Sequence, residues 1–396
     1  MIGENNNWPL MRLSECCVSI ADGDHQPPPK ADSGVPFVTI SNIVSNKFVF
    51  SDTMYVPMAY YESLDSKRKA KAGDILYSVV GSFGIPVFIE DNVPFVFQRH
   101  IAILRPSPDT ILPKFLYYTM LSHKFYQMAD AAAVGAAQRT VSLTALRDMK
   151  IEVPDLTTQQ KIIDVLAPYD DLIATNQKQI SLLEEAAQRI YKEWFIDFHF
   201  PGHESVTIKD GIPAGWSRKI LGDIAINAGN NVNVSDREKY SYYLPIDCMP
   251  KKSLGYIEVN DISLAESSLQ SFKPGDIVMG AMRPYFHKVV IARDNGLTRN
   301  TCFVINAKNP IYHDFLALLI FDERSIDYAT QNSVGTTMPY VRWKDFVQMP
   351  IVVPDDSLAQ AFSRIISPMI EAIHNRAIDI QKAILSRDML LVKLLS

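Results

Sequence analysis

The sequence predicts an α+β chain built twice from one unit: two α+β modules in pseudo-twofold tandem, each closed by a long helix, with the two helices antiparallel and paired as a coiled-coil spacer. Three observations carry that prediction. Segments recur in the same order at a nearly fixed offset, each copy mixes short β-like runs with one helical stretch, and each copy ends in an apolar stripe with a period of about 3.5 residues. The boundaries that follow are 1–155 for the first module, 156–200 for the first spacer helix, 201–355 for the second module and 356–396 for the second helix.

The repeat is direct. Val134-Gly135 recurs as Val334-Gly335, Ile151 to Asp155 (IEVPD) as Ile351 to Asp355 (IVVPD), Gln160 as Gln360, and Ala167-Pro168 as Ser367-Pro368, each 200 positions on. Upstream the offset drifts, as loop insertions make it: Gly73-Asp74-Ile75 pairs with Gly275-Asp276-Ile277, and Trp8 with Trp216. A solenoid needs three or more repeats to bury its core, so two copies mean duplicated globular modules.

Each copy opens with short runs broken by Pro and Gly, in the first Val35 to Ile40, Asp74 to Val80, Pro86 to Ile89 and Ile101 to Leu104. A helical stretch follows, Pro113 to Met128 or Ile311 to Ala329, and then a final strand, Met149 to Val153 or Gln348 to Val353. Trp8 and Trp216 are expected to anchor the start of each module in its core.

From Thr158 to about Phe195 the register Ile162, Leu166, Tyr169, Ile173, Asn176, Ile180, Leu183, Ala187, Ile190, Trp194 alternates steps of four and three, the seam of a coiled coil. The same register 200 positions on gives Phe362, Ile366, Met369, Ile373, Arg376, Ile380, Ala383, Arg387, Leu390 and Leu394. An antiparallel pair would bring Asn176 and Arg376 together near the two midpoints, as a register-fixing polar pair; the alternative is that Arg376 reaches to water. Pro168 and Pro368 remove a backbone donor and are expected to kink or break each helix. The stretch from Tyr169 to Trp194 would then span roughly 40 Å at 1.5 Å per residue, close to one turn of B-DNA.

Composition narrows the class. With 47% hydrophobic and 21% charged residues the chain reads as folded and soluble, and Met1 to Asn7 lacks the basic and apolar regions of a signal peptide. A cytoplasmic protein with no membrane segment is the expectation. Cys16, Cys17, Cys248 and Cys302 form no ligand spacing, so they read as buried free thiols. The net charge of −5 gives no support to nucleic-acid binding. Local basic clusters run against it, Lys67, Arg68, Lys69 and Lys71 in the first half and Arg283, His287, Lys288, Arg293 and Arg299 in the second, although either could be a solvated face.

Pro154-Asp155-Leu156-Thr157-Thr158-Gln159-Gln160-Lys161-Ile162-Ile163-Asp164-Val165-Leu166, then Asp170-Asp171-Leu172-Ile173 with Asn176, and Leu182-Leu183-Glu184 running to Tyr191 and Phe195, resembles the conserved helical region of DNA-specificity subunits of Type I restriction-modification systems. Asp22-Gly23-Asp24-His25 leading to Gly34-Val35-Pro36-Phe37 and Ile40-Ser41-Asn42-Ile43, together with Lys71-Ala72-Gly73-Asp74-Ile75-Leu76, extends the resemblance over nearly the whole chain. The second copy departs from it, with Ser357-Leu358-Ala359 in place of the Thr-Thr-Gln run. The resemblance implies two target recognition domains, each reading one half of an interrupted double-stranded DNA site. It makes the helices a ruler and the docking surface for adenine methyltransferase subunits, two by expectation, with restriction or translocating subunits as further partners. No cofactor is expected on this chain: AdoMet would belong to the methyltransferase, ATP and Mg to any restriction subunit.

The sequence carries no motif that would give the chain a catalytic site of its own. It contains no P-loop pattern, no GxGxxG, no (Asn/Asp)-Pro-Pro-aromatic tetrapeptide and no HExxH.

DNA contacts are expected from the loop after each helical stretch, Gln138, Arg139 and Thr140 in the first copy and Thr336 and Thr337 in the second. A second loop follows each GDI strand, with Ser82 and Phe83, or Arg283 and Tyr285. Gln can bond adenine in bidentate fashion, Arg guanine, and Thr can touch the thymine methyl; Gly and Pro make turn chemistry the competing reading. Lys67, Arg68 and Lys69 are the candidates for phosphate. Asp24-His25 either anchors a loop or touches phosphate, and Trp194, Phe195, Phe198 and Phe200 either cap the helix pair or face a partner. A protein-binding scaffold and a self-contained nuclease or methyltransferase are the alternative functions.

Overall fold

The computed structural model describes residues 8–24, 28–44, 46–50, 53–136 and 138–395. Its chain divides into two units, Met1–Asp170 with Leu385–Ser396, and Asp171–Ile384, so that each long helix contributes to both.

The first unit is organised on a four-stranded antiparallel sheet in the order Cys17–Asp22, Ile101–Pro106, Ile75–Ser78, Pro86–Phe88. Ile75–Ser78 is buried along its whole length, and Ile75 and Leu76 stand opposite Leu104 and Ile103. The second unit repeats this order with Ala225–Asn227, Cys302–Ala307, Ile277–Gly280, Val289–Ile291. The Gly-Asp-Ile repeat is the turn into the central strand. Gly73 and Gly275 take φ of +88° and +89°, conformations that glycine adopts without a Cβ clash. The buried Asp74 carboxylate accepts from the Lys71 amide at 2.8 Å and from two Arg105 nitrogens at 2.9 and 2.7 Å. Asp276 likewise accepts from the Lys273 amide, 2.8 Å, and from Asn306 Nδ2, 2.7 Å.

Each unit adds a ribbon joining the start of the module to its end, Leu10–Arg12 with Lys150–Glu152 and Ser217–Ile220 with Pro350–Val353, both antiparallel. Trp216 is buried at the base of its ribbon, and Trp8 is partly buried. The expected helical stretches are each two helices, Pro113–Leu121 with His123–Ala132, and His313–Phe321 with Glu323–Gln331. The break is a capping event: Ser122 Oγ accepts from the Phe125 amide and the Asp322 carboxylate from the Arg324 amide, each ending one helix while starting the next.

The modules differ in their second sheet. In the first, Val35–Val38 pairs antiparallel with Met54–Val56 and parallel with Val96–Phe97. In the second, Leu269–Phe272 lies between Asn230–Val232 and Gly296–Arg299, all antiparallel. A shared core sheet therefore carries two unlike additions.

Leu156–Phe195 and Asp356–Leu395 are helices of 40 residues each. In the first unit Ile162 and Leu166 share a core with Leu391, Leu394 and Leu395. In the second unit Ala187, Tyr191, Trp194 and Phe195 share one with Phe362, Ile366 and Ile370. Within each unit the start of one long helix thus meets the end of the other, the antiparallel arrangement. Neither proline breaks its helix: Pro168 and Pro368 lie inside unbroken helices on exposed faces. There the carbonyl freed by the missing N–H is open to water, while the opposite face stays packed.

Along the first helix Ile162, Leu166, Ile173, Asn176, Ile180, Ala187 and Trp194 are buried as read, whereas Tyr169, Leu183 and Ile190 are half-buried and Glu184 and Tyr191, one position on, are buried. The second helix shows the same offset at some positions: Ile370 and Ala377 are buried where Met369 and Arg376 were expected, and Leu391 is buried beside half-buried Leu390. Phe362, Ile366, Ile373 and Ile380 keep their places. Arg376 is half-exposed and pairs with Asp379 at 3.4 Å, whereas Asn176 bonds its own helix through the Leu172 carbonyl, 3.0 Å, so the proposed pair does not form. The packed face of a 3.6-residue helix is wider than a strict 3.5-residue stripe, so residues one position on share the burial. Cys16 and Cys302 are buried as expected, but Cys17 and Cys248 are only half-buried; all four are free thiols.

Candidate nucleic-acid interface

In each module the two loops singled out above are one structure. The first module's Val134–Thr140 segment closes on itself through reciprocal backbone bonds between Val134 and Thr140, 2.9 and 2.8 Å. Gly135, at φ +106°, lies so close to the Gln138 carbonyl that a Cβ would stand 2.6 Å from its oxygen. Thr140 also bridges to Val80, and the Gly81 amide donates to the Arg139 carbonyl at 2.9 Å, which brings Ser82 and Phe83 alongside Gln138 and Arg139. Ser82, Gln138 and Arg139 are exposed; Phe83 and Thr140 are half-buried.

A stacked array backs this surface. The Arg139 guanidinium lies 5.4 Å from the Phe83 ring centre, and Phe83 is parallel to Tyr126 within 7° at 5.9 Å. His123 stacks on the far side of Tyr126 at 6.5 Å, and Asp130 pairs with Arg139. Gly84 permits the approach, since a Cβ there would stand 2.6 Å from the Tyr126 ring. His123, Tyr126 and Asp130 were missed by sequence reasoning. Their signal was helical spacing, because they lie on one face of His123–Ala132.

The second module repeats the junction with other side chains. Val334 and Tyr340 exchange backbone bonds of 2.9 and 3.0 Å, Met282 bridges to Tyr340, and the Arg283 amide donates to the Pro339 carbonyl at 2.7 Å. Arg283 is left-handed at φ +47° and spends part of its guanidinium on the Thr337 carbonyl, 3.3 Å, so it staples the two loops. Thr336, Thr337, Met338, Tyr340 and Tyr285 form the exposed part.

The basic clusters are partly consumed by the fold. Lys67 is exposed, but Arg68 faces Asp22 at 3.8 Å, and Lys69 donates to the Glu62 carbonyl at 2.7 Å beside the Tyr61 ring. In the second half, Arg293 is buried against Tyr256 and bonds its carbonyl at 3.0 Å. Lys288, its pKa pushed down by burial, donates to the Ile246 carbonyl, and His287 is buried, its pKa likewise lowered by burial. Arg299 reaches Ser267 at 3.2 Å. That scatter is structural and forms no single patch.

Asp24 is buried and accepts from the Tyr60 hydroxyl, a loop anchor; His25, with Gln26 and Pro27, lies outside the described residues. Trp194, Phe195 and Phe200 are buried in the second unit's core, the packing reading of that aromatic group. Among the described residues no three His, Cys, Asp or Glu side chains are grouped as a metal site would need, and no helix is long and apolar enough to cross a membrane.

Residues 5–185 match the model of the Type I restriction modification DNA specificity domain. The MjaIX specificity subunit of the Type I restriction enzyme of Methanocaldococcus jannaschii is 28% identical over 310 residues, covering 72% of this chain and 69% of the relative. The HindI specificity subunit from Haemophilus influenzae is 27% identical over 183 residues, covering 45% of this chain and 39% of the relative. The fold is that of the crystal structure of the S subunit of the Type I restriction-modification system from M. genitalium, with a TM-score of 0.58 at 14% identity, covering 100% of this chain and 99% of that one. The duplicated modules, the shared sheet and the paired 40-residue helices thus share the fold of that S subunit, and residues 5–185 are similar to the Type I restriction modification DNA specificity domain.

Proposed function

We propose that this chain reads a two-part, interrupted double-stranded DNA site, one module to each half, and brings adenine methyltransferase subunits to it. The observation that supports this most is the loop junction. It stands at the same place on the same core sheet in both modules and is exposed in both, yet it presents Gln138 and Arg139 in one and Thr336, Thr337 and Tyr285 in the other. A constant frame with changed side chains is what reading two different short sequences requires, because phosphate contacts position a protein and base-edge contacts specify the site. Lys67 and Lys71 are the exposed cations of their cluster, with Lys67 the phosphate contact in this reading, and Arg283 acts by holding the second module's loops in place.

Residues 1–155 and 201–355 are the recognition domains in this reading, and 156–200 and 356–396 set the spacing between half-sites and receive two methyltransferase subunits. Those subunits would carry AdoMet, and any restriction subunit joining them ATP and Mg, in the cytoplasm of a bacterial or archaeal cell. The net charge of −5 fits a chain whose partners supply much of the phosphate contact. Methylation-aware sequencing of the host genome with and without this gene tests the reading. The expected result is loss of adenine methylation at one motif made of two short blocks around a fixed gap; loss at a contiguous motif, or no change, overturns it.

A further inference from the structure

The two ends at which the long helices meet are equivalent by the repeat but not in chemistry. In the first unit Arg387 of the second helix stands with Nη1 2.9 Å from Asp170 Oδ1 of the first, and the Tyr118 hydroxyl donates to Asp170 Oδ2 at 2.7 Å. Both charges are largely buried, with 11% of the Arg387 side chain and 26% of that of Asp170 exposed. The equivalent positions of the second unit, 200 residues away, are Leu318, Ile370 and Ala187, all three buried in one core cluster. One end of the helix pair is joined by an ion pair, the other by a purely apolar contact.

This asymmetry has a consequence for which halves can pair. The interface is built from two near-copies, so a first half meeting another first half would bury the same kind of seam. Such a pair would set Asp170 and Tyr118 against Ala187 of the other copy at both ends. Two second halves would set Arg387 against Ile370 and Leu318 at both ends. Each like pair therefore buries two like charges with no opposite charge across the seam, Asp170 keeping only the Tyr118 hydroxyl and Arg387 only the exposed Asp388 carboxylate at 3.0 Å, whereas the first half with the second buries one satisfied ion pair and one apolar contact. A buried ion pair adds little over an apolar contact of the same shape, but an unpaired buried charge is strongly unfavourable. Selection by penalising the wrong partner follows from that difference.

We propose that Tyr118, Asp170 and Arg387 form a pairing code that commits each first half to a second half and rejects another copy of itself. The inference does not depend on which DNA is read. It is tested on the full chain carrying one protease site in the exposed connection between Glu204 and Ser205, cut after purification, with native mass spectrometry after the two pieces have exchanged. Pieces with the natural residues are expected to remain pairs of unlike halves. In the variant Tyr118→Leu, Asp170→Ile, Arg387→Ala, which gives the first end the chemistry of the second, pairs of like halves are expected to appear. The exchanged variant Asp170→Arg with Arg387→Asp is expected to restore unlike pairing alone. Like pairs from the natural pieces, none from the apolar variant, or scrambling in the exchanged variant as in the apolar one, would each overturn the proposal.

Discussion

The Arg139 guanidinium lies over the Phe83 ring at 5.4 Å, although the two residues come from different loops of the first module. The stack and the Asp130 carboxylate fix a long, otherwise mobile side chain, so less rotamer entropy is lost when it meets a base. Arg139→Ala is expected to weaken DNA binding by about 1–3 kcal/mol, the scale of one good bidentate base contact. Phe83→Ala should weaken it in the same direction. Fluorescence anisotropy of the chain assembled with its proposed methyltransferase partners measures both, on duplexes altered in one half-site at a time. Unchanged binding to every duplex would remove this surface from the interface.

Lys67→Ala and Lys69→Ala should separate by what they change. Lys67 is exposed and free to meet phosphate, so its loss lowers the slope of log K against log salt by about one. Lys69 is committed to the Glu62 carbonyl, so its loss shows in the melting curve of the chain. A salt titration of binding beside a thermal melt distinguishes them; equal salt slopes for Lys67→Ala and the parent would count against the phosphate contact.

Gln159 is fully buried and holds three backbone groups: its Oε1 accepts from the Leu112 amide at 2.8 Å, and its Nε2 donates to the carbonyls of Thr110 and Pro154 at 3.1 and 2.8 Å. Gln159→Ala leaves them without partners and is expected to cost about 1–3 kcal/mol in urea unfolding. Gln160→Ala, at an exposed neighbour, should stay within about 0.5 kcal/mol of the parent. Similar effects for the two would show that the network is unimportant.

Glu184 is buried, which raises its carboxyl pKa above the ordinary value against the pull of the Ser253 hydroxyl and the Leu254 amide, 2.6 and 2.7 Å from Oε1. The folded chain therefore holds this proton more tightly than the unfolded one. Its contribution to stability is complete below about pH 4, near the unfolded pKa, and is lost as pH rises through the folded pKa. Glu184→Gln keeps an acceptor oxygen without the buried charge, so its melting temperature should exceed that of the parent at neutral pH, with the difference closing in acid. A parent that melts higher at neutral pH would reverse the sign.

Much of the fold was legible because its signals are local. The Gly-Asp-Ile turns, the twin helices and the first seam each follow from residues a few positions apart. The split of Pro113 to Met128 was written in Ser122, an N-cap residue inside an apolar run, but a cap is read only when it is looked for within a helix. Arg376 was misplaced because the packed face of the helix is wider than a strict 3.5-residue stripe, and the next residue, Ala377, takes the buried place. The candidate interface was half legible. Its loops follow from the repeat, but the bond from Gly81 to Arg139 and the stack through Tyr126 join segments distant in sequence, which no local pattern encodes.

Leu391, Leu394 and Leu395 sit in the same core as Leu13, Leu116 and Leu166, so the first unit is closed by the last turns of the second helix. During synthesis the first module therefore leaves the ribosome with an open apolar face, and it must wait in that state while the whole second module is made. Shielding of that face over the interval, by its own transient collapse or by a chaperone, becomes a condition for the chain to mature.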